Sequence, residues 1–220
     1  MVDIFDEVDG ELRAEKAQKL LMRYSGVIVA VALAIVGAAG GWQGWRWWQA
    51  RQDTAAATAF VSTLTAVEST PNVDPAARGG LGGAFEALAS SGPEGYRTLA
   101  RLRAAALKAD AGDMAAASML WDQVAGDAGA DPLLRDLATL TWAQRQLDQG
   151  DPARLEGRLK PLTEFGNAWR SLAQEQLALL DLRQGRTAEA KAAFGKLSQD
   201  VTAPAGVRSR ASALVSRFSE

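Results

Sequence analysis

The sequence predicts an all-α protein: one N-terminal transmembrane helix followed by a helical-repeat solenoid. Three observations lead there. Residues 24 to 45 carry no charged side chain, with Arg23 and Arg46 closing the run. A glycine-led pattern then recurs at Gly112, Gly150 and Gly185, 38 and 35 residues apart. Strand signals are nearly missing, because β-branched runs occur only inside the apolar segment while Ala and Leu dominate elsewhere.

The uncharged run reads YSGVIVAVALAIVGAAGGWQGW. As a helix its 22 residues span roughly 33 Å, enough to cross a bilayer core. A soluble core helix of that length shows a polar stripe, and this run shows none. Tyr24 marks one end, and Trp42, Trp45, Trp47 and Trp48 crowd the other, where amphipathic rings favour the headgroup zone. A cleaved signal peptide is the rival reading, with Gly37-Ala38-Ala39-Gly40 as its cleavage site. The long acidic segment ahead of the run and the Trp cluster behind it speak against that. Arg13, Lys16, Lys19 and Arg23 precede the span, and only Arg46 and Arg51 follow it before Arg78. That bias orients the N-terminus inside and the C-terminal domain outside. Small residues recur along the span at Gly26, Ala30, Ala34 and Ala38, and again as Gly37-x-x-x-Gly41 and Gly40-x-x-x-Gly44. This spacing lets transmembrane backbones approach closely, so Gly26, Ala30, Ala34, Gly37, Gly41 and Gly44 form the expected contact face in the membrane.

Composition removes several function classes. The net charge is −2. The first 23 residues hold four basic and six acidic side chains, and the remainder balances at twenty of each. No basic field exists to attract nucleic acid. The chain has no Cys and no His. Disulfides, thiolate chemistry, the commonest general base and the commonest transition-metal ligand are therefore excluded, and the expectation is a non-enzyme with no cofactor and no metal. Other constellations dissolve on inspection. Gly195-Lys196 is followed by Leu197 rather than Ser or Thr, Gly79 to Gly83 follow no strand, Asp6, Asp9 and Gly10 lack the remaining calcium-loop ligands, and Asp110 and Asp113 stand beside a helix turn.

Four segments are expected: a short acidic tail (1–23), the transmembrane helix (24–48), a membrane-proximal helical hairpin (49–92), and repeats with a C-terminal capping helix (93–220). Ile4, Phe5, Val8 and Leu12 give the tail one apolar face, interrupted at Gly10; a partly disordered tail is the alternative. Residues 53–68 have helical spacing and stop at Ser69-Thr70-Pro71-Asn72. Asp74-Pro75 reads as an N-cap followed by proline at the first helical position. Gly79 to Gly83 mark either a hinge or a close helix crossing, and Ser91-Gly92-Pro93 restarts the chain.

Each repeat glycine is followed by a residue suited to capping or turning, then by a small or apolar residue (Ala117, Leu155, Ala190). Large apolar residues follow four and seven positions on: Trp121 and Val124, Leu159 and Leu162, Phe194 and Leu197. A period of 35 to 38 residues marks stacked helical hairpins. The pattern resembles the tetratricopeptide repeat over roughly residues 95 to 220. Ala117, Ala190 and Phe194 match its small and aromatic positions, whereas Lys108 and Asp181 replace its usual tyrosine. Trp121, Trp142 and Trp169 read as core anchors between helix pairs. In such a solenoid the first helix of each pair lines a groove, which makes Leu102, Leu140, Gln144, Glu175 and Leu179 the candidate protein-binding residues.

The layout of acidic tail (DIFDEVDGELRAEKAQKLLMRY), single span ending in WQGWRWW, and repeat domain resembles the ancillary SecYEG translocon subunit family, the YfgM-like proteins of Gram-negative bacteria. That resemblance implies a periplasmic domain on an inner-membrane anchor, with the Sec translocon and periplasmic chaperones as protein partners. The alternative is a structural subunit of a larger inner-membrane complex, recognised mainly through its transmembrane helix. If residues 24 to 45 span the bilayer, alkaline carbonate leaves the chain in the membrane pellet; its release into the supernatant would exclude a span.

Overall fold

The computed structural model describes the backbone of residues 4–69 and 74–218, and side chains from residue 22 onward except at Ile28, Pro75, Ala76 and Arg78. The expected apolar face of the tail (Ile4, Phe5, Val8, Leu12) and the stop at Thr70-Pro71-Asn72 lie outside the described residues. All regular structure described is helical. The chain divides into two units, Met1–Gln52 and Asp53–Glu220.

The first unit is the leading part of helix α1 (Ile4–Glu68). Its backbone passes through Gly10 unbroken, since a lone glycine weakens a helix by only about 1 kcal/mol. The helix carries no proline, and every described side chain from Met22 to Gln52 is exposed. Trp45 and Trp48 meet at a ring separation of 5.4 Å, and the Arg51 guanidinium lies 4.2 Å from the centre of the Trp47 ring.

The second unit holds the end of α1 and eight further α-helices among the described residues: α2 (Pro75–Ser91), α3 (Glu94–Asp110), α4 (Met114–Ala125), α5 (Pro132–Gln146), α6 (Pro152–Leu159), α7 (Arg170–Arg183), α8 (Thr187–Gln199) and α9 (Ala205–Arg217). From α2 onward each helix packs on the next. A 3₁₀ turn, Lys160–Thr163, continues α6, because Pro161 has no amide hydrogen to extend the α pattern. Carboxylates start four of these helices. Asp74, Asp113, Asp131 and Asp151 accept from amides in the first turns of α2, α4, α5 and α6 at 2.8 to 3.3 Å.

Two of the three repeat glycines work through their backbone. Gly112 and Gly185 have φ of 87° and 77°, a region open to glycine at little cost. Each closes a Schellman motif. The Asp113 amide donates to Lys108 O and that of Gly112 to Ala109 O; the Arg186 amide donates to Asp181 O and that of Gly185 to Leu182 O, all at 2.9 to 3.0 Å. Gly150 serves differently. Its φ is ordinary, but a Cβ there would sit 2.7 Å from the Gln146 carbonyl oxygen. At Gly79 to Gly83 the close-crossing alternative describes what is found. Helix α2 runs through without a hinge, and a Cβ on Gly82 would lie 3.6 Å from Leu107 Cβ of α3.

Alanine lets the paired helices approach. Ala104, Ala105, Ala117, Ala138, Ala143, Ala173 and Ala190 have no exposed surface, and Trp121, Trp142 and Leu155 fill the spaces beside them. Phe194 occupies the centre of the last cluster with Val207 and Ala211 of α9. Enlarging Ala190 to Leu overpacks that contact, at a cost of about 1 to 3 kcal/mol. Phe194→Ala opens a cavity, at a cost of about 3 to 5 kcal/mol. Because each repeat touches only its neighbours, hydrogen exchange on Ala190→Leu is expected to accelerate within residues 170 to 218 and to stay unchanged near residue 104. Equal protection in both regions would refute this packing.

Candidate protein-binding groove

Helices α3 and α5 begin successive repeats and lie side by side, leaving a groove of about 500 Å³ between them. Its apolar surface comes from Leu99, Leu102 and Ala106 of α3 and Leu134 and Leu137 of α5, over the buried ring of Trp121. Phe60, from the end of α1, adds an aromatic wall. That ring is fixed by an edge contact with Phe85 at 5.3 Å and a tilted contact with Tyr96 at 6.2 Å. Thr141, Gln144, Arg103 and Arg145 supply the polar rim. Arg145 Nη2 lies 2.8 Å from Asp110 Oδ1.

The five sequence candidates occupy different places. Leu102 and Gln144 line the groove. Leu140 is 1% exposed and belongs to the core behind it. Leu179 packs, half-buried, on the C-terminal cluster. Glu175 is buried on α7 and holds Arg210 of α9 through two bonds of 2.6 Å. That bonding raises the Arg210 guanidinium above its ordinary range, with its burial acting in the opposite sense. Of the three tryptophans, Trp121 and Trp142 are buried. Trp169 is half-buried and donates from Nε1 to Leu133 O at 2.9 Å. The membrane contact face, Gly26, Ala30, Ala34, Gly37, Gly41 and Gly44, is exposed throughout, with open space where a Cβ would stand on each glycine.

Sequence reasoning missed Leu134, Leu137 and Thr141, although with Gln144 they form a stripe at spacings of three, four and three residues along one helix face. Phe60 had no local signal, since its role depends on where the end of α1 packs.

A family model described as a tetratricopeptide repeat-like domain matches residues 19–213. The chain belongs to this family. The family includes YfgM-like proteins. No curated protein and no solved structure matches the chain. Membership accords with the helix packing above and implies protein partners. Ala117, Ala190 and Phe194, its small and aromatic positions, are fully buried. Lys108 and Asp181, in place of tyrosine, make ion pairs with Glu86 and Arg186. Among the described residues one helix, near the N-terminus, is long and apolar enough to cross a membrane, as an anchor or a signal sequence.

The Glu175–Arg210 pair sets a testable energy. The Glu175 side chain is 5% exposed and that of Arg210 56%. Arg210→Met strands a buried carboxylate, with an expected loss of about 1 to 3 kcal/mol in urea denaturation. Adding Glu175→Gln to that variant should restore part of the loss. A double variant no more stable than Arg210→Met alone would show that the carboxylate is not the source of the penalty.

Proposed function

We propose that this protein is a non-enzymatic, membrane-anchored adaptor of the cell envelope that binds protein partners through the groove between α3 and α5. Residues 1–23 form a cytoplasmic tail, 24–48 the inner-membrane span, 49–92 a membrane-proximal helical hairpin, and 93–220 the periplasmic repeats with a capping helix. The observation that carries the reading is an open, apolar groove in a tetratricopeptide repeat-like chain, behind an uncharged helical run whose described side chains are all exposed. The four-to-two excess of basic residues before the span supports the orientation. The family's YfgM-like members, together with the tail and anchor sequence, support the Sec translocon and periplasmic chaperones as partners. The absence of His and Cys from the chain supports a binding role over a catalytic one.

A second reading makes the chain a structural subunit recognised through its membrane helix. The open glycine positions Gly37, Gly40, Gly41 and Gly44 favour it.

Two experiments test these readings. Protease added to spheroplasts is expected to digest the repeat domain; its protection, with loss of the tail, would invert the topology. Replacing residues 24 to 45 with an unrelated span should leave cross-linked partners unchanged, whereas Leu137→Asp should remove them. Loss of all partners on exchanging the span would establish the second reading instead.

A further inference from the structure

The groove is polarised along its length. Phe60, Leu99 and Leu134 form its apolar end, and Arg145 stands at the other. Leu134 and Arg145 are eleven residues apart on α5, which is about 16 Å along the helix axis. Arg103 lies between them on α3 and makes no ion pair among the described residues. Arg145 is 46% exposed and spends only part of its donor fork on Asp110. No carboxylate lines the groove among the described residues. The site therefore presents an apolar trough with two cationic side chains, of which Arg145 is answered in part by Asp110 and Arg103 by no carboxylate among the described residues.

We infer that the groove takes an amphipathic helical segment of a partner protein, apolar along one face and carrying carboxylates toward one end. This rests on the adaptor reading and names the chemistry of its ligand. The apolar side chains of such a segment, at i, i+3 and i+4, fill the space over Leu102 and Leu137. The carboxylates reach Arg103 and the free donors of Arg145, which selects the partner and sets its direction in the groove. A basic segment of the same apolar pattern meets like charge and binds more weakly.

The test uses full-length protein in nanodiscs and two labelled synthetic helices that share one apolar stripe and differ only in Glu or Lys at one end. The Glu helix is expected to bind more tightly. Arg103→Glu should shift the ratio of the two affinities toward the Lys helix by about tenfold. Leu99→Asp, on a residue already 37% exposed, should weaken both helices while helicity by circular dichroism is retained. Met119→Asp, on an exposed residue of a separate cavity beside Lys108 and Gln123, should change neither. Equal binding of the two helices, or a ratio unmoved by Arg103→Glu, overturns the inference while leaving the groove as a protein-binding site. Equally strong displacement of the Glu helix by a free fatty acid overturns it in favour of a lipid site. If neither helix binds and Leu99→Asp leaves native cross-linked partners in place, the adaptor reading of the groove fails as well.

Discussion

The close approach of paired helices at alanine is the contact on which the rest of the repeat domain depends. Ala104, Ala117, Ala138, Ala143, Ala173 and Ala190 have no exposed surface, so a larger side chain at any of them would have to displace its neighbours. A helix pair held that tightly has one relative rotation, so its remaining apolar residues must point at the adjacent pair. Trp121, Trp142, Leu155 and Leu159 then build a core continuous between repeats. The Schellman turns at Gly112 and Gly185 serve the same contact, since they reverse the chain within few residues and bring the second helix back at once.

Polar bonds one period apart fix how the pairs stack. Arg158 bonds Asp122, Trp169 bonds Leu133 O, Arg183 bonds Leu147 O, and Arg210 bonds Glu175, each across 35 or 36 residues. Apolar burial supplies most of the stabilisation but is non-directional. These bonds have fixed geometry and penalise a slip of one pair against the next. Arg183 also donates to Gly150 O at 2.5 Å, so it serves one carbonyl at the α5 C-cap and one in the turn that leads to α6. The groove lies where α3 and α5, which both pack on α4, come side by side.

Local features of the fold were legible in the sequence, and contacts between distant segments were not. The period, the buried Ala117 and Ala190, the Phe194 core and the Asp74 cap each follow from residue type at a fixed offset, which is why they could be read. The candidate groove residues followed less well, because helical register alone does not separate a residue that faces the neighbouring repeat from one that faces solvent. Leu140 and Gln144 are four residues apart on α5, yet one is buried in the core and the other lines the groove. Glu175 has the register of a groove residue but sits on α7, which does not line the groove between α3 and α5. Its partner Arg210 is one period away, and that spacing is the signal that links them. Phe60 lies outside the repeats altogether, and only tertiary packing against Phe85 and Tyr96 brings it to the groove.

The groove divides its labour between apolar and charged groups. The apolar floor supplies affinity to any segment that can cover it, since burial of Leu99, Leu102 and Leu137 does not depend on what covers them. Discrimination has to come from groups whose interaction changes sign with the partner, and Arg103 and Arg145 are the only charged side chains that line the site among the described residues. Both are partly exposed, so each contributes modestly and is weakened by salt. A site built this way binds many segments weakly and prefers some of them. That behaviour suits an adaptor that must release what it holds, and it differs from an obligate interface, where large buried apolar area fixes a single partner.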